Sequence, residues 1–127
     1  MKLYNSKIID NSFTNTKVRL KNLLKSYGYS VTSEMNIHKE LRKLDIKHRK
    51  YVVIGVSRPS FIYELLRMDD KIGTLLPFNI LLQEINPNTV EILIVNVEFT
   101  LASLKSVHVN DLATVINEEL NEILESL

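Results

Sequence analysis

Apolar positions along the chain switch between two periods, and the switches mark its elements. In FTNTKVRLKNLLKSYG, Phe13, Leu20, Leu23, Leu24 and Tyr27 recur at helical spacing, and Gly28 stands where a helix would end in a left-handed turn. The preceding MKLYNSKIID predicts a first strand, and the polar NSF after it can cap the helix. YSVTSEMNI is rich in β-formers and predicts a second strand. Asn36 then stands where it would cap a short helix carrying Ile37, Leu41 and Leu44 on one side. YVVIGV predicts a third strand, and FIYELLRM predicts a helix after the turn SRPS. DDKIGTLLPF breaks that helix through its acidic residues, Gly73 and Pro77. NILLQEI, the turn NPNT and VEILIVNVEF together form the clearest hairpin signal. The chain closes on NDLATVINEELNEILESL, a helix with Leu112, Val115, Ile116, Leu120, Ile123, Leu124 and Leu127 in one stripe and glutamates opposite.

Two of these strands are apolar on both faces. YVVIGV is apolar at nearly every position, and in the second arm of the hairpin Val90, Ile92 and Ile94 point one way while Leu93, Val95 and Val97 point the other. Interspersed helices and a hairpin define an α+β class: an antiparallel-containing sheet with helices packed on one face, in a single domain over residues 1–127. The helices account for one sheet face. The other would be an exposed apolar patch of a kind that soluble monomers rarely keep. A second copy of the chain is the simplest cover, because a two-fold interface uses one patch twice. A folded-over segment or a small apolar ligand would also serve. A homodimer is therefore the expected assembly.

Composition narrows the chemistry. A hydrophobic share of 45% with 24% charged residues is that of an ordinary globular chain. The formal net charge of +1 removes any global electrostatic pull towards nucleic acid or an acidic membrane, so neither is the expected partner. With no cysteine there is no disulfide, thiolate nucleophile, iron–sulfur cluster or cysteine-ligated zinc. No apolar run approaches the roughly 20 residues of a membrane span, and the first residues do not read as a signal peptide, so the expected location is the cytoplasm.

The segment YVVIGVSRPSFIYELLRMDDKIGTLLPFNILLQEI, with the hairpin and IVNVEFTL after it, resembles the family called domain of unknown function 302. That family has a strand ending in a pattern like Leu-Gly-Ala-Cys-Asn-Pro, a helix, then Ile-Gly-x-Leu-Leu-Pro-Cys and a hairpin ending near Asp-Pro. The matching positions here are Ile54, Gly55, Pro59, Ile72, Gly73, Leu75, Leu76 and Pro77, and the order of elements agrees along most of the chain. Ser57 and Phe78 stand where the family has its cysteines, Arg58 replaces its Asn, and Asn96 and Val97 replace Asp-Pro. The resemblance thus carries no thiol, metal or redox role to this chain. It implies an architecture: a small α+β domain similar to the TATA-binding-protein-like arrangement, often dimeric, with no settled activity.

Two polar features are candidate sites. A helix start after VSRPSF would leave unpaired backbone N–H groups that favour an anion, with Ser57, Arg58, Ser60 and Asn79 as candidate ligand-binding residues. The plainer reading makes this turn a joint, with a serine capping the helix, Pro59 in its first turn and Arg58 solvated. From His38 to Lys50, Lys39, Arg42, Lys43, Lys47, Arg49 and Lys50 stand against Glu40 and Asp45. Such a segment can contact a phosphate backbone or another protein, or it can be a solvated face paired with the acidic last helix. His38, His48 and His108 lack the paired spacing of a zinc site, and no cofactor is called for. Asp69 and Asp70 are adjacent, pointing about 100° apart on a helix, so they do not form a catalytic pair and instead suit a helix end. The function expected is a non-catalytic binding or regulatory module for a small anionic or amphipathic ligand. Protein or nucleic-acid interaction through residues 39–50 is the alternative, and a hydrolase or transferase using Ser57 ranks last.

Overall fold

The computed structural model describes residues 2–127. Its elements follow the chain as β1 (Tyr4–Ile9), α1 (Phe13–Ser26), β2 (Ser30–Asn36), α2 (Ile37–Arg42), β3 (Tyr51–Ser57), α3 (Pro59–Met68), β4 (Phe78–Asn86), β5 (Thr89–Val95), α4 (Val97–Leu101) and α5 (Val107–Glu125). Short 3-10 turns at Ile72–Leu75 and Ala102–Leu104 link α3 to β4 and α4 to α5. The strands form one sheet in the order β1-β5-β4-β3-β2, with every neighbouring pair antiparallel.

Helix ends follow from local side-chain chemistry. The Ser12 hydroxyl accepts the Asn15 N–H at 3.1 Å to open α1, and Ser106 does the same for Val109 at 3.3 Å to open α5. Helix α1 stops at Gly28, whose φ of +86 lets the chain turn so that the Tyr29 N–H reaches the Leu24 carbonyl at 2.9 Å. Asn36 precedes α2 as expected but makes no capping bond, and Leu44 lies 69% exposed instead of joining an apolar side.

One face of the sheet carries the core. Val52, Ile54 and Val56 of β3, Phe78, Ile80 and Leu82 of β4, and Val90, Ile92 and Ile94 of β5 all point to this side and are buried. They meet Leu20 and Leu24 of α1 and Ile116, Leu120 and Ile123 of α5. Each such side chain removed from water contributes about 1.5–3 kcal/mol, so this layer is the main source of stability. The last helix follows its predicted stripe except at Val115, which is 48% exposed, whereas Asn117 is buried.

The hairpin differs from expectation at one place. β5 ends at Val95, and the chain turns at Asn96, whose Oδ1 accepts the Phe99 N–H at 3.0 Å and opens α4. Val97 is therefore not on the far sheet face but fully buried at the start of that helix. Alternation alone cannot signal this stop, since Val95-Asn96-Val97 continues a period of two.

The far face is left open by the helices. Tyr4 and Ile8 of β1, Leu93 and Val95 of β5, Leu81 of β4, Val53 of β3 and Met35 of β2 share it by strand register. Ile8 is 61% and Met35 54% exposed, and the central four are half-buried by their neighbours in the sheet. Gly55 also faces this side, and Ser33 and Pro77 close directly over it.

Candidate binding site

The VSRPSF turn joins β3 to α3, and its arginine is engaged within the chain. Ser57 ends β3 opposite Ser30, and neither it nor Ser60 caps α3: the capping position is Arg58, which makes no side-chain cap bond, followed by Pro59. Arg58 is only partly solvated. Its Nη1 donates to both carboxylate oxygens of Glu119 on α5, at 2.7 and 2.9 Å, and its guanidinium lies 4.6 Å above the Phe61 ring. The side chain also packs beside Gly28, where a Cβ would sit 3.4 Å from Arg58 Nε. Beneath it the Tyr29 hydroxyl is buried without a hydrogen-bond partner, and burial, then the Glu119 charge, push its phenol above the ordinary value. The turn is thus a staple between two layers, and its arginine is already neutralised. Asn79 is exposed on the open face of β4, paired in register with Gly55, whereas Arg58 reaches α5 on the helix side, so the four candidate residues do not converge on one ligand.

The basic segment is exposed from Arg42 to Lys50. Its ion pairs are not with the last helix: Lys43 reaches Glu40 at 3.2 Å, and Lys50 reaches Glu84 of β4 at 3.8 Å. The glutamates of α5 that form side-chain contacts take other partners, Glu119 taking Arg58 and Glu122 accepting the Tyr27 hydroxyl at 3.3 Å. Asp69 ends α3 and its carboxylate accepts the Lys71 N–H at 2.9 Å, as its place in the sequence implies. Among the described residues no three His, Asp or Glu side chains converge as metal ligands would.

Two concavities flank α2. On the open sheet face a groove of about 860 Å³ is lined by Ser33, Glu34, Met35, Asn36, Val53 and Asn79, and walled by Lys39, Glu40 and Lys43. On the helix side a pocket of about 400 Å³ is lined by Phe13, Thr14, Lys17, Val18 and Lys21 of α1 together with Asn36, His38, Lys39 and Lys50. The structure therefore unites Asn79 with Lys39 and Lys43, two residues of the basic segment. It adds Met35, Val53, Lys17 and Lys21, for which the sequence signals only strand and helix positions.

Glu34 stands between the two. It sits on edge strand β2, and its carboxylate accepts hydrogen bonds from Lys17 and from Lys21, the latter at 2.7 Å. Burial raises its pKa, but the bonds and charges of the two lysines outweigh that and hold it at about 2, against an ordinary 4.5. Because the folded value is the lower one, this contribution is complete above the ordinary value and is lost as pH falls from there towards 2. Glu34→Gln is expected to cost about 1 kcal/mol near neutrality, a figure reduced for partial solvation. Urea denaturation at stepped pH should show the parent converging on the variant in acid, and a gap between them that does not change with pH would contradict this.

Helices on one face of a five-stranded antiparallel sheet, with a groove on the other, define an α+β domain in which the sheet itself offers the free surface. The family model described as Domain of unknown function DUF302 matches residues 5–127, and the chain belongs to this family. The crystal structure of an uncharacterized conserved DUF302 protein from Bacillus stearothermophilus is similar at a TM-score of 0.91 and 17% identity, covering 98% of each chain, which establishes the shared fold. No curated protein matches. Among the described residues no helix is long and apolar enough to cross a membrane.

Proposed function

We propose that the protein is a non-catalytic binding module that holds a small amphipathic anion in the open-face groove. The observation that carries this is the groove's lining: an apolar floor of Met35 and Val53 beside the Asn79 amide and the Lys39 ammonium, the remaining charges being matched within the chain, Lys43 by Glu40 and Glu34 by Lys17 and Lys21. Among the described residues Lys39 has no ion-pair partner, which leaves a charge for an anionic head, while an apolar body would lie along the floor towards Leu81. A cytoplasmic setting and no cofactor belong to this reading. The test is titration with a dansyl-labelled undecanoic acid. Saturable fluorescence enhancement is expected, weakened at least tenfold by Met35→Glu combined with Lys43→Glu. Equal binding by parent and variant, or none by the parent, would refute it.

The β1–β5 half of the same face favours a second, compatible reading. Tyr4, Ile8, Leu93 and Val95 form an apolar strip without lysines, suited to a second copy of the chain. Sedimentation of the same protein should give a dimer that Ile8→Lys with Leu93→Lys dissociates; a monomeric parent at micromolar concentration would remove this reading.

A further inference from the structure

We propose that the helix-side pocket is a separate binding site for a small phosphate-bearing molecule. It shares Asn36 and Lys39 with the sheet-face groove, whereas Lys17, Lys21 and Lys50 line this pocket alone. The first observation is a charge imbalance. Four of the nine residues lining the pocket are lysines and none is Asp or Glu, in a chain whose 16 basic and 15 acidic residues are otherwise balanced. Lys17 and Lys21 come from α1, Lys39 from α2 and Lys50 from the residue just before β3, so the gathering is a product of the fold. Like charges drawn into a concavity repel one another unless an anion completes them, and low-dielectric walls strengthen the field on such an anion.

The neighbouring carboxylates do not complete them. Glu34 accepts from both Lys17 and Lys21, so one negative charge fixes two ammonium groups in place and leaves a surplus. Lys50 meets Glu84 only at 3.8 Å, and Lys39 is unpaired among the described residues. His38 also lines the pocket, its Nδ1 lying 3.0 Å from the Tyr51 nitrogen and 3.1 Å from the Tyr51 carbonyl oxygen, while the donors for an anion are the lysines. These are point-charge donors without a planar fork, a set that suits phosphate. A phosphate monoester, carrying about two negative charges near neutrality, matches the surplus better than a single carboxylate does.

Shape selects a small molecule over a polynucleotide. A volume of about 400 Å³ falls within the range of small-ligand sites. Single-strand readers stack bases on exposed aromatic rings, whereas Phe13 is only 6% exposed and Lys50 Nζ sits 5.9 Å from the centre of its ring.

The test is amide NMR on the labelled full chain at low salt, titrated separately with adenosine monophosphate, inorganic phosphate, adenosine and a single-stranded oligonucleotide. Saturable shifts at Thr14, Lys17, His38 and Lys39 with the two phosphates, and none with adenosine, are expected. Tighter binding of the monophosphate shows that the ester's body is read, and equal binding assigns the site to the phosphate group alone; either supports the site. Lys21→Ala with Lys50→Ala should weaken binding at least tenfold while keeping the parent's spectrum elsewhere. Met35→Glu with Lys43→Glu, which alters only the sheet-face groove, should bind as the parent does. Absence of saturable shifts with both phosphates, a lysine double variant that binds like the parent, or an oligonucleotide that binds where the monophosphate does not would each overturn the proposal.

Discussion

Gly55→Val is expected to lower the melting temperature by about 10 °C, the equivalent of about 3 kcal/mol in a domain of this size. Gly55 lies inside β3 with its missing side chain directed at the open face. A Cβ there would stand 2.6 Å from Pro77 Cγ and also overlap Ser33 Oγ. The Ser33 hydroxyl can rotate, but the Pro77 ring is tied to the backbone that leads into β4 and cannot swing aside as a long side chain would. Relief requires moving the Leu76–Pro77 segment, and the branched valine adds two further methyl groups to the conflict. Thermal denaturation followed by circular dichroism reads the effect, with Gly73→Ala as control because nothing lies within 4 Å of the added atom there. A Gly55→Val protein that melts with the parent would show that the Leu76–Pro77 segment yields freely.

Asn117→Leu is expected to destabilise by about 2 kcal/mol, although leucine keeps the branched shape and favours a helix. Asn117 is buried on α5, and its Oδ1 accepts the N–H of Val97 at 2.9 Å, while Nδ2 donates to Glu98 at 3.4 Å. Val97 opens α4, so its N–H has no partner inside that helix and depends on the side chain of a residue twenty positions away. Leucine would leave the donor unsatisfied in a place water does not reach. Hydrogen exchange separates this cause from a general loss of packing: the Val97 amide should lose more protection than amides in the middle of β4. Uniform loss of protection over both would remove the hydrogen-bond account.

Much of the fold was legible because it follows short-range periodicity. Phe13, Leu20 and Leu24 at helical spacing, Gly28 at the stop, and Val90, Ile92 and Ile94 on alternate positions all read as they stand in the structure. The residues Ile54, Gly55, Pro59 and Ile72 to Pro77 also pointed to the family that the full-length match establishes. The close of β5 was not legible, because an asparagine between valines looks the same in a strand as at a helix cap. Leu44 and Val115 fit apolar stripes by spacing, yet both are exposed in the structure.

The candidate site was less legible than the fold for the same reason. The sequence leaves Arg58 either solvated or free to hold an anion, because Glu119, which neutralises it, lies sixty-one positions away. Lys39 and Lys43 were marked as members of a charged run, but their meeting with Met35, Val53 and Asn79 depends on how α2 turns beside the sheet. Local pattern determined which segments are helices and strands and which of their faces are apolar, since both are set by backbone geometry and side-chain size within a few residues. Only the tertiary structure decided which charges are satisfied, where four lysines meet and which sheet face stays open, because those outcomes depend on distances between residues that the chain order keeps apart.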